Sequence, residues 1–385
     1  MYDHYLFANI VKRFLPDVRQ HQTLSPQQAS ACQNILNCHT AKLGGLDYQC
    51  DQCAQHYPRY HSCRHRHCPQ CQQKASALWV EKRSKDVLPV TYFHLVFTLP
   101  HELNGWAKLH PEIIYHLLFQ CTWQTLNDYS QNNHLLQGTL GMISVLHTWG
   151  QNLMQHIHLH CLIPGGALDS NQSFKTSRRK YLYPHRVLAK IFRGKMVSAL
   201  RRAWKAGKLH RIVSPVQLDE VLSKLMQKDW VINTKPHINT PETVMRYLGR
   251  YTYRTAISLS RIKSVDQTSV HFQWLDYRDH QKKIMTLTGR EFLQRFLLHI
   301  LPKGFMRIRH FGYLANRVRV EKLNTIRACI ENTSTVKTKH EEQDQDVPIK
   351  LDSERPDVCP QCKTGHLKLV GKILPEKERR RARLM

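Results

Sequence analysis

Between Gln155 and Gly166 the chain alternates imidazoles with apolar residues, as His156-Ile157-His158-Leu159-His160-Cys161. Side chains at i and i+2 of a strand share a face about 6–7 Å apart, so His158 and His160 can converge on one divalent metal ion. Three histidines in this pattern are hard to bury in an ordinary core, because each needs a polar partner. All three together span roughly 13 Å of strand, too far for one ion. The expected ligands are therefore His158 and His160. The third donor is left open among His156, His94, His147 and a polar residue further along. Imidazoles with water and phosphate oxygens completing the shell suit magnesium, manganese or zinc, and open positions polarise a phosphate as a Lewis acid.

A second constellation follows in Arg246-Tyr247-Leu248-Gly249-Arg250-Tyr251. Tyrosines at i and i+4 of a helix are neighbours, so Tyr247 and Tyr251 form a pair. Such pairs are usually core or interface residues; the histidine motif upstream favours a chemical role instead. A phenol with a pKa near 10 is a poor nucleophile unless nearby positive charge favours phenolate. Arg246, Arg250 and Arg254, at helical spacing, can steady phosphates or activate the phenols. Together the two motifs read as metal-assisted attack of a tyrosine on a phosphodiester.

Cys50-x-x-Cys53 and Cys68-Pro69-Gln70-Cys71 are two CxxC pairs at nearly zinc-ribbon separation, and four thiolates satisfy tetrahedral zinc. Cys50, Cys53, Cys68 and Cys71 are the simplest structural set. Cys63, with His65 and His67 in the same loop, can replace a ligand or build a second site. Arg59, Arg64 and Arg66 surround this region and can present charge to phosphates. Cys359-Pro360-Gln361-Cys362 is half of such a site, with His366 nearby. It can lend ligands to a partner chain or a distant cysteine, or remain an unmetallated loop.

The elements that would position these groups are readable. Residues 1–40 have helical apolar spacing, with Ser25-Pro26-Gln27-Gln28 as a helix start. Residues 72–88 return to helix after the cysteine-rich stretch. Thr91 to Pro100, Gly141 to Thr148 and His156 to Ile163 read as strands, the last two as an antiparallel pair. Helices are expected over 102–130, 186–207, 216–228 and Thr288 to Leu301, and strands at Trp230 to Asn233 and Val270 to Tyr277. Thr240-Pro241 is a plausible start for the tyrosine helix. The fold class is α+β around a central antiparallel sheet flanked by helices, with an N-terminal helical zinc-binding domain.

Expected domains are 1–90 for zinc binding and DNA recognition, 91–330 for catalysis, and 331–385 for a disordered linker and basic tail containing the last CxxC. The linker reading rests on the polar stretch with the acidic run Glu341 to Asp346. The tail reading rests on Lys377 to Arg383. The segment Arg307 to Tyr313 interleaves arginines with aromatics, and stacking and clamping of single-stranded bases is an alternative use for it.

The 385 residues carry 57 Lys plus Arg against 29 Asp plus Glu, a formal charge of +28. Such a surface repels itself unless it meets a polyanion, and nucleic acid is the default partner. No apolar run is long enough to cross a membrane and no lipidation motif appears. The first residues show no secretory leader, so a cytoplasmic location is expected. In a reducing compartment the 12 cysteines are poor disulfide candidates, so the clustered ones read first as metal ligands.

Four motifs in order resemble one family. They are Ser62-Cys63-Arg64-His65-Arg66-His67-Cys68-Pro69-Gln70-Cys71; Tyr92 to Pro100; His147-Thr148-Trp149-Gly150-Gln151-Asn152-Leu153 leading into the histidine motif; and Tyr247-Leu248-Gly249-Arg250-Tyr251 continuing through Ser258. The chain to about Arg319 resembles the two-tyrosine HUH rolling-circle transposases of the insertion sequence ninety-one type. The resemblance implies that His158 and His160 bind Mg2+ or Mn2+ and that Tyr247 and Tyr251 are nucleophiles. It implies single-strand cleavage through a 5′-phosphotyrosine at the element's ends, then transfer to target DNA. Arg64, Arg66, Arg246, Arg250 and Arg254 are the expected DNA contacts. A nucleoid-associated bacterial enzyme is implied, and a homo-oligomer is compatible. An HUH plasmid relaxase or replication initiator shares this chemistry. A non-catalytic zinc-ribbon regulator would need neither the alternating histidines nor the paired tyrosines.

Overall fold

A computed structural model describes residues 5–132, 136–177, 183–212, 214–238, 243–244, 249, 251–333 and 358–378. The chain forms two compact units, each drawing on distant segments. One comprises 1–77, 253–300 and 339–385; the other comprises 78–252 and 301–338. These groupings cut across the consecutive stretches 1–90, 91–330 and 331–385.

In the first unit, helix α1 (Leu6–His21) buries Phe7, Ile10, Val11, Phe14, Leu15 and Val18 along one stripe. Helix α2 (Pro26–Asn37) starts where its sequence indicates. Ser25 accepts from the Gln28 amide and the Gln28 side chain accepts from the Ser25 amide, a reciprocal capping box. Strands β1 (Gly45–Cys50) and β2 (His56–Tyr60) form a hairpin after α2, and helix α3 (Cys71–Ser84) starts at the last cysteine of the knuckle. A three-stranded meander of β9 (Ile262–Val265), β10 (Ser269–Asp276) and β11 (Gln281–Thr288) leads into the helix Gly289–Leu297, whose Phe296 ring meets Phe7 at 4.8 Å. Strand β11 escapes sequence reading because its first residues, Gln281 and Lys282, are polar and exposed.

The last cysteine pair is followed by strand β13 (Leu367–Ile373), which pairs antiparallel with β1. Residues 358–378 are therefore part of a folded sheet of order β13-β1-β2, which corrects the reading of 331–385 as linker and tail throughout. The acidic run Glu341 to Asp346 and residues 379–385 lie outside the described residues.

The second unit holds the main sheet, of order β7-β6-β4-β5-β3-β8 with β12 added to β4. Its strands are β3 (Tyr92–Thr98), β4 (Thr139–Trp149), β5 (Gln155–Pro164), β6 (Gly166–Leu168), β7 (Phe174–Thr176), β8 (Ile232–Ile238) and β12 (Ile308–Gly312). Among the described residues their pairings are antiparallel. Strand period decides what each face carries. Phe93, Leu95 and Phe97 of β3, Met142 and Leu146 of β4, and Ile157, Leu159 and Cys161 of β5 point into one core. Helices α4 (Asn104–Leu109), α5 (Pro111–Gln131), α6 (His185–Lys205) and α7 (Pro215–Gln227) supply its other wall, through residues such as Phe119, Phe192 and Leu222. The opposite face carries Tyr92, Ile143 and Leu162 against Leu323 and Ile326 of the helix Arg319–Thr333. His147, His158 and His160 share this second face.

The segment Arg307 to Tyr313 is strand β12 and its flanks, which weighs against the alternative of a base clamp. Burial against α5 uses up its aromatics: Phe311 stacks on Trp123 at 5.4 Å, and Arg309 lies 4.3 Å over the Phe119 ring. Tyr313 is 2% exposed and its hydroxyl donates to the Gly166 carbonyl.

Candidate nuclease centre and cysteine clusters

The ladder of β4 and β5 places His147 directly opposite His158, while Val145 faces His160. Cross-strand neighbours on one face lie about 4.5–5.5 Å apart at Cβ. His147, His158 and His160 accordingly converge, with one ligating nitrogen from each lying within 4.8 Å of the others. Ring centroids are 5.5 Å apart for His147 and His158, 4.5 Å for His147 and His160, and 4.9 Å for His158 and His160. His156 lies one pleat further out, its ring 4.8 Å from that of His158. The structure thus brings His147, not His156, to the pair; a bend in the register between His147 and Trp149 accompanies the approach.

Hydrogen bonds orient each ring. His158 Nδ1 donates to the His156 carbonyl at 2.8 Å, which fixes the orientation of the ring. His147 Nε2 donates to the Tyr251 carbonyl at 2.8 Å, which fixes the ring against that tyrosine's backbone. His160 Nδ1 is 3.0 Å from His94 Nε2, within hydrogen-bond distance, so His94 orients the His160 ring. Three imidazoles converging in this way fit a divalent ion whose remaining positions are open to water and phosphate oxygens.

Tyr251 closes over this cluster. Its ring centroid is 4.2 Å from His160, 5.6 Å from His94 and 6.1 Å from His147. Thr243, Val244, Gly249, Tyr251 and Thr252 are helical, as the pattern predicts, and Val244 is buried in the smaller core. Arg246, Tyr247 and Arg250 lie outside the described residues, as does the expected helix start at Thr240 to Glu242. Arg254 is described and exposed.

Eight cysteines sort into two clusters in the first unit: Cys38, Cys63, Cys68 and Cys71, and separately Cys50, Cys53, Cys359 and Cys362. The expected set of Cys50, Cys53, Cys68 and Cys71 is thereby corrected. Its two halves are kept apart by the β1–β2 hairpin: Cys50 and Cys53 sit at the turn, whereas Cys38 and Cys63 flank the open end. Six residues of strand span about 20 Å, far beyond the reach of one ion. Cys63 had been a candidate; Cys38 had not, because it stands 25 residues upstream at the end of α2, with no second cysteine beside it.

In the first cluster Cys38 Sγ is 3.5 Å from Cys71 Sγ and 3.8 Å from Cys68 Sγ, and Cys63 Sγ is 3.5 Å from Cys71 Sγ. Tetrahedral zinc with bonds of about 2.3 Å places sulfurs roughly 3.8 Å apart. Hydrogen bonds from Cys63, Cys68 and Cys71 hold the Cys38 thiol far below its ordinary range, and the bond to Cys38 in turn raises the His39 imidazole. Arg64 is exposed beside this cluster; Arg66 is half-buried, and burial lowers its guanidinium pKa.

A basic chain with thiolate clusters in one unit and a histidine-bearing sheet in the other defines a DNA-processing protein with structural zinc. Comparisons with known proteins make the class specific. The family model described as "Putative transposase" matches residues 141–322, spanning the histidines and tyrosines, and the "Transposase zinc-binding domain" model matches residues 10–99. The chain is 38% identical over 371 residues to "Putative transposase y4qJ" of Sinorhizobium fredii, covering 94% of this chain and 93% of that one. It is 28% identical over 300 residues to the "Transposase for insertion sequence element IS801" of Pseudomonas savastanoi pv. phaseolicola, covering 74% and 69% of the two chains. The chain belongs to the IS91-type insertion-sequence transposases, and it carries their zinc-binding domain. Its substrate is DNA. Among the described residues no helix is long and apolar enough to cross a membrane.

Proposed function

We propose that this transposase cuts and rejoins single-stranded DNA at the ends of its element through 5′-phosphotyrosine intermediates, with Tyr247 and Tyr251 as alternating nucleophiles. The single observation that carries the reading is the Tyr251 ring lying 4.2 Å from His160 in a cluster of three converging imidazoles. A tyrosine oxygen attacks the scissile phosphorus and the bond to the 3′ oxygen breaks, leaving a 3′-hydroxyl and a phosphotyrosine. The transfer potential of the phosphodiester is retained, so a 3′-hydroxyl can later attack the phosphotyrosine and release the phenol without an external energy source. A second tyrosine lets a second strand be held before the first is resolved, as rolling-circle transfer requires.

His147, His158 and His160 would hold Mn2+ or Mg2+, which when bound polarises the scissile phosphate and offsets its developing charge. Three imidazoles favour manganese over magnesium, whose preferred ligands are oxygens. His94 fixes the His160 ring, and the His147 bond to the Tyr251 carbonyl ties the nucleophile's backbone to the ligand set. Arg246, Arg250 and Arg254 would neutralise the strand's phosphates, and Arg64 and Arg66 would contact the element's ends.

The test is a denaturant-resistant protein–DNA adduct on single-stranded oligonucleotides carrying an element end, with Mn2+ present. Wild type is expected to form it and Tyr247→Phe plus Tyr251→Phe to abolish it. No adduct with the wild type removes the catalytic reading, and an adduct that survives the double substitution removes these nucleophiles.

A further inference from the structure

The second cysteine cluster lies only half within the matched zinc-binding domain, which ends at residue 99. Its four sulfurs lie within 4.8 Å of one another. Cys50 Sγ is 3.6 Å from Cys362 Sγ, and Cys53 Sγ is 3.6 Å from Cys359 Sγ, across 312 and 306 residues of chain. A disulfide needs about 2.05 Å, whereas four thiolates around zinc stand roughly 3.8 Å apart.

The backbone around the two pairs is built alike. The Ala54 amide donates to the Cys50 carbonyl at 3.1 Å, and the Lys363 amide donates to the Cys359 carbonyl at 2.9 Å. The residue after each pair adopts a left-handed conformation, Ala54 at φ 55° and Lys363 at φ 59°, which non-glycine residues rarely enter. Amides point at the sulfurs: Gln52 N and Cys53 N at Cys50 Sγ, at 3.4 and 3.5 Å, and Gly365 N at Cys362 Sγ, at 3.3 Å. Such donors stabilise thiolate sulfur. Gly365 passes so close that a Cβ there would lie 2.4 Å from Cys50 Sγ. The Asp51 amide donates to the His366 carbonyl, the His366 amide to the Asp51 side chain, and β13 continues the register from Cys50 opposite Leu367. Two matched knuckles facing each other at one end of a β-ladder are the architecture of a zinc ribbon.

We propose that Cys50, Cys53, Cys359 and Cys362 form a second structural zinc site, a ribbon split between the N-terminal hairpin and the C-terminal segment, so that the metal clasps residues 358–378 onto the zinc-binding unit. Binding releases the protons of the four thiols to solvent and leaves a tetrahedral Zn(Cys)4 centre. The zinc-binding region is thus completed from the far end of the chain, and a protein truncated after residue 333 keeps only half of this ligand set. The site stands independently of the tyrosine chemistry.

Residue-resolved alkylation of the full-length protein tests this without any variant. Cys53 is exposed and Cys362 partly so, and as free thiols they would react readily. With zinc bound, Cys50, Cys53, Cys359 and Cys362 are expected to react with iodoacetamide at least tenfold more slowly than after zinc chelation, and native mass spectrometry is expected to count one zinc fewer in Cys359→Ser plus Cys362→Ser. In that variant Cys50 and Cys53 become reactive while Cys38, Cys63, Cys68 and Cys71 stay protected. Equal reactivity of wild-type Cys53 and Cys362 with and without chelation overturns the proposal, as does an unchanged zinc count in the double variant.

Discussion

At the scale of single residues, the histidine cluster shows what a sequence can and cannot carry. The i, i+2 rule is local, so His158 and His160 were readable from β5 alone. His147 stands eleven positions before His158 on another strand. Its membership depends on the β4–β5 register, which only the folded hairpin fixes. Because His147 converges with His158 and His160, His147→Ala is expected to weaken Mn2+ binding by tenfold or more, read by metal titration of adduct formation. Adduct yield with an unchanged Mn2+ dependence would remove His147 from the ligand set.

A second histidine makes a pH-dependent contribution. On β12, burial first, with Arg83 and Arg319 next, pushes His310 down to about 4 from 6.5. The folded chain keeps this imidazole neutral where the unfolded chain protonates it. The depressed pKa therefore leaves stability unaffected above pH 6.5 and lowers it as pH falls from 6.5 through 4. Partial exposure reduces the effect to about 2–3 kcal/mol at most. His310→Gln should melt with a shallower acid dependence than wild type between these limits; parallel melting curves would show that another group carries it.

At the scale of elements, helices with strong periodicity and caps were legible, as Ser25 and the buried stripe of α1 illustrate. So were β3, β4 and β5, whose apolar alternation survives in a sheet covered on both faces. Strand β12 was not, because Arg307 and Arg309 read as charge. Arg309 lies over the Phe119 and Phe305 rings and Arg307 is buried, tertiary decisions that composition cannot announce. The turn ending β12 is demanding: Gly312 has φ 60°, and a Cβ there would lie 1.6 Å from the Leu140 carbonyl oxygen. Gly312→Ala combines left-handed strain with a backbone overlap beside β4 and should cost roughly 2–5 kcal/mol, measured by urea unfolding. A loss below about 1 kcal/mol would mean that the β12–β4 edge yields cheaply. Since β4 carries His147, Mn2+ affinity should fall in the same variant.

At the scale of the whole molecule, chain order and spatial order part company. A linear reading paired Cys50 and Cys53 with the nearest CxxC, because proximity in sequence is the only distance a sequence supplies. The folded unit instead gathers residues 1–77, 253–300 and 339–385, and the hairpin between the cysteine pairs enforces separate clusters. The charge of +28 was legible at once, since it needs no geometry. It also separates binding from chemistry. Each phosphate neutralised on a single strand contributes a slope of about −0.7 in log affinity against log salt, so six contacts imply a loss of about 300-fold between 50 and 200 mM KCl. That loss should be nearly the same for an element-end oligonucleotide and a scrambled one, because phosphate contacts carry no sequence information. Adduct formed per bound strand, measured at saturating protein, should stay constant across the same range if the chemical step depends on the buried histidines and not on the basic surface. A slope shallower than about −2 would confine the phosphate contacts to fewer than three residues and leave most of the positive charge without a DNA-binding role.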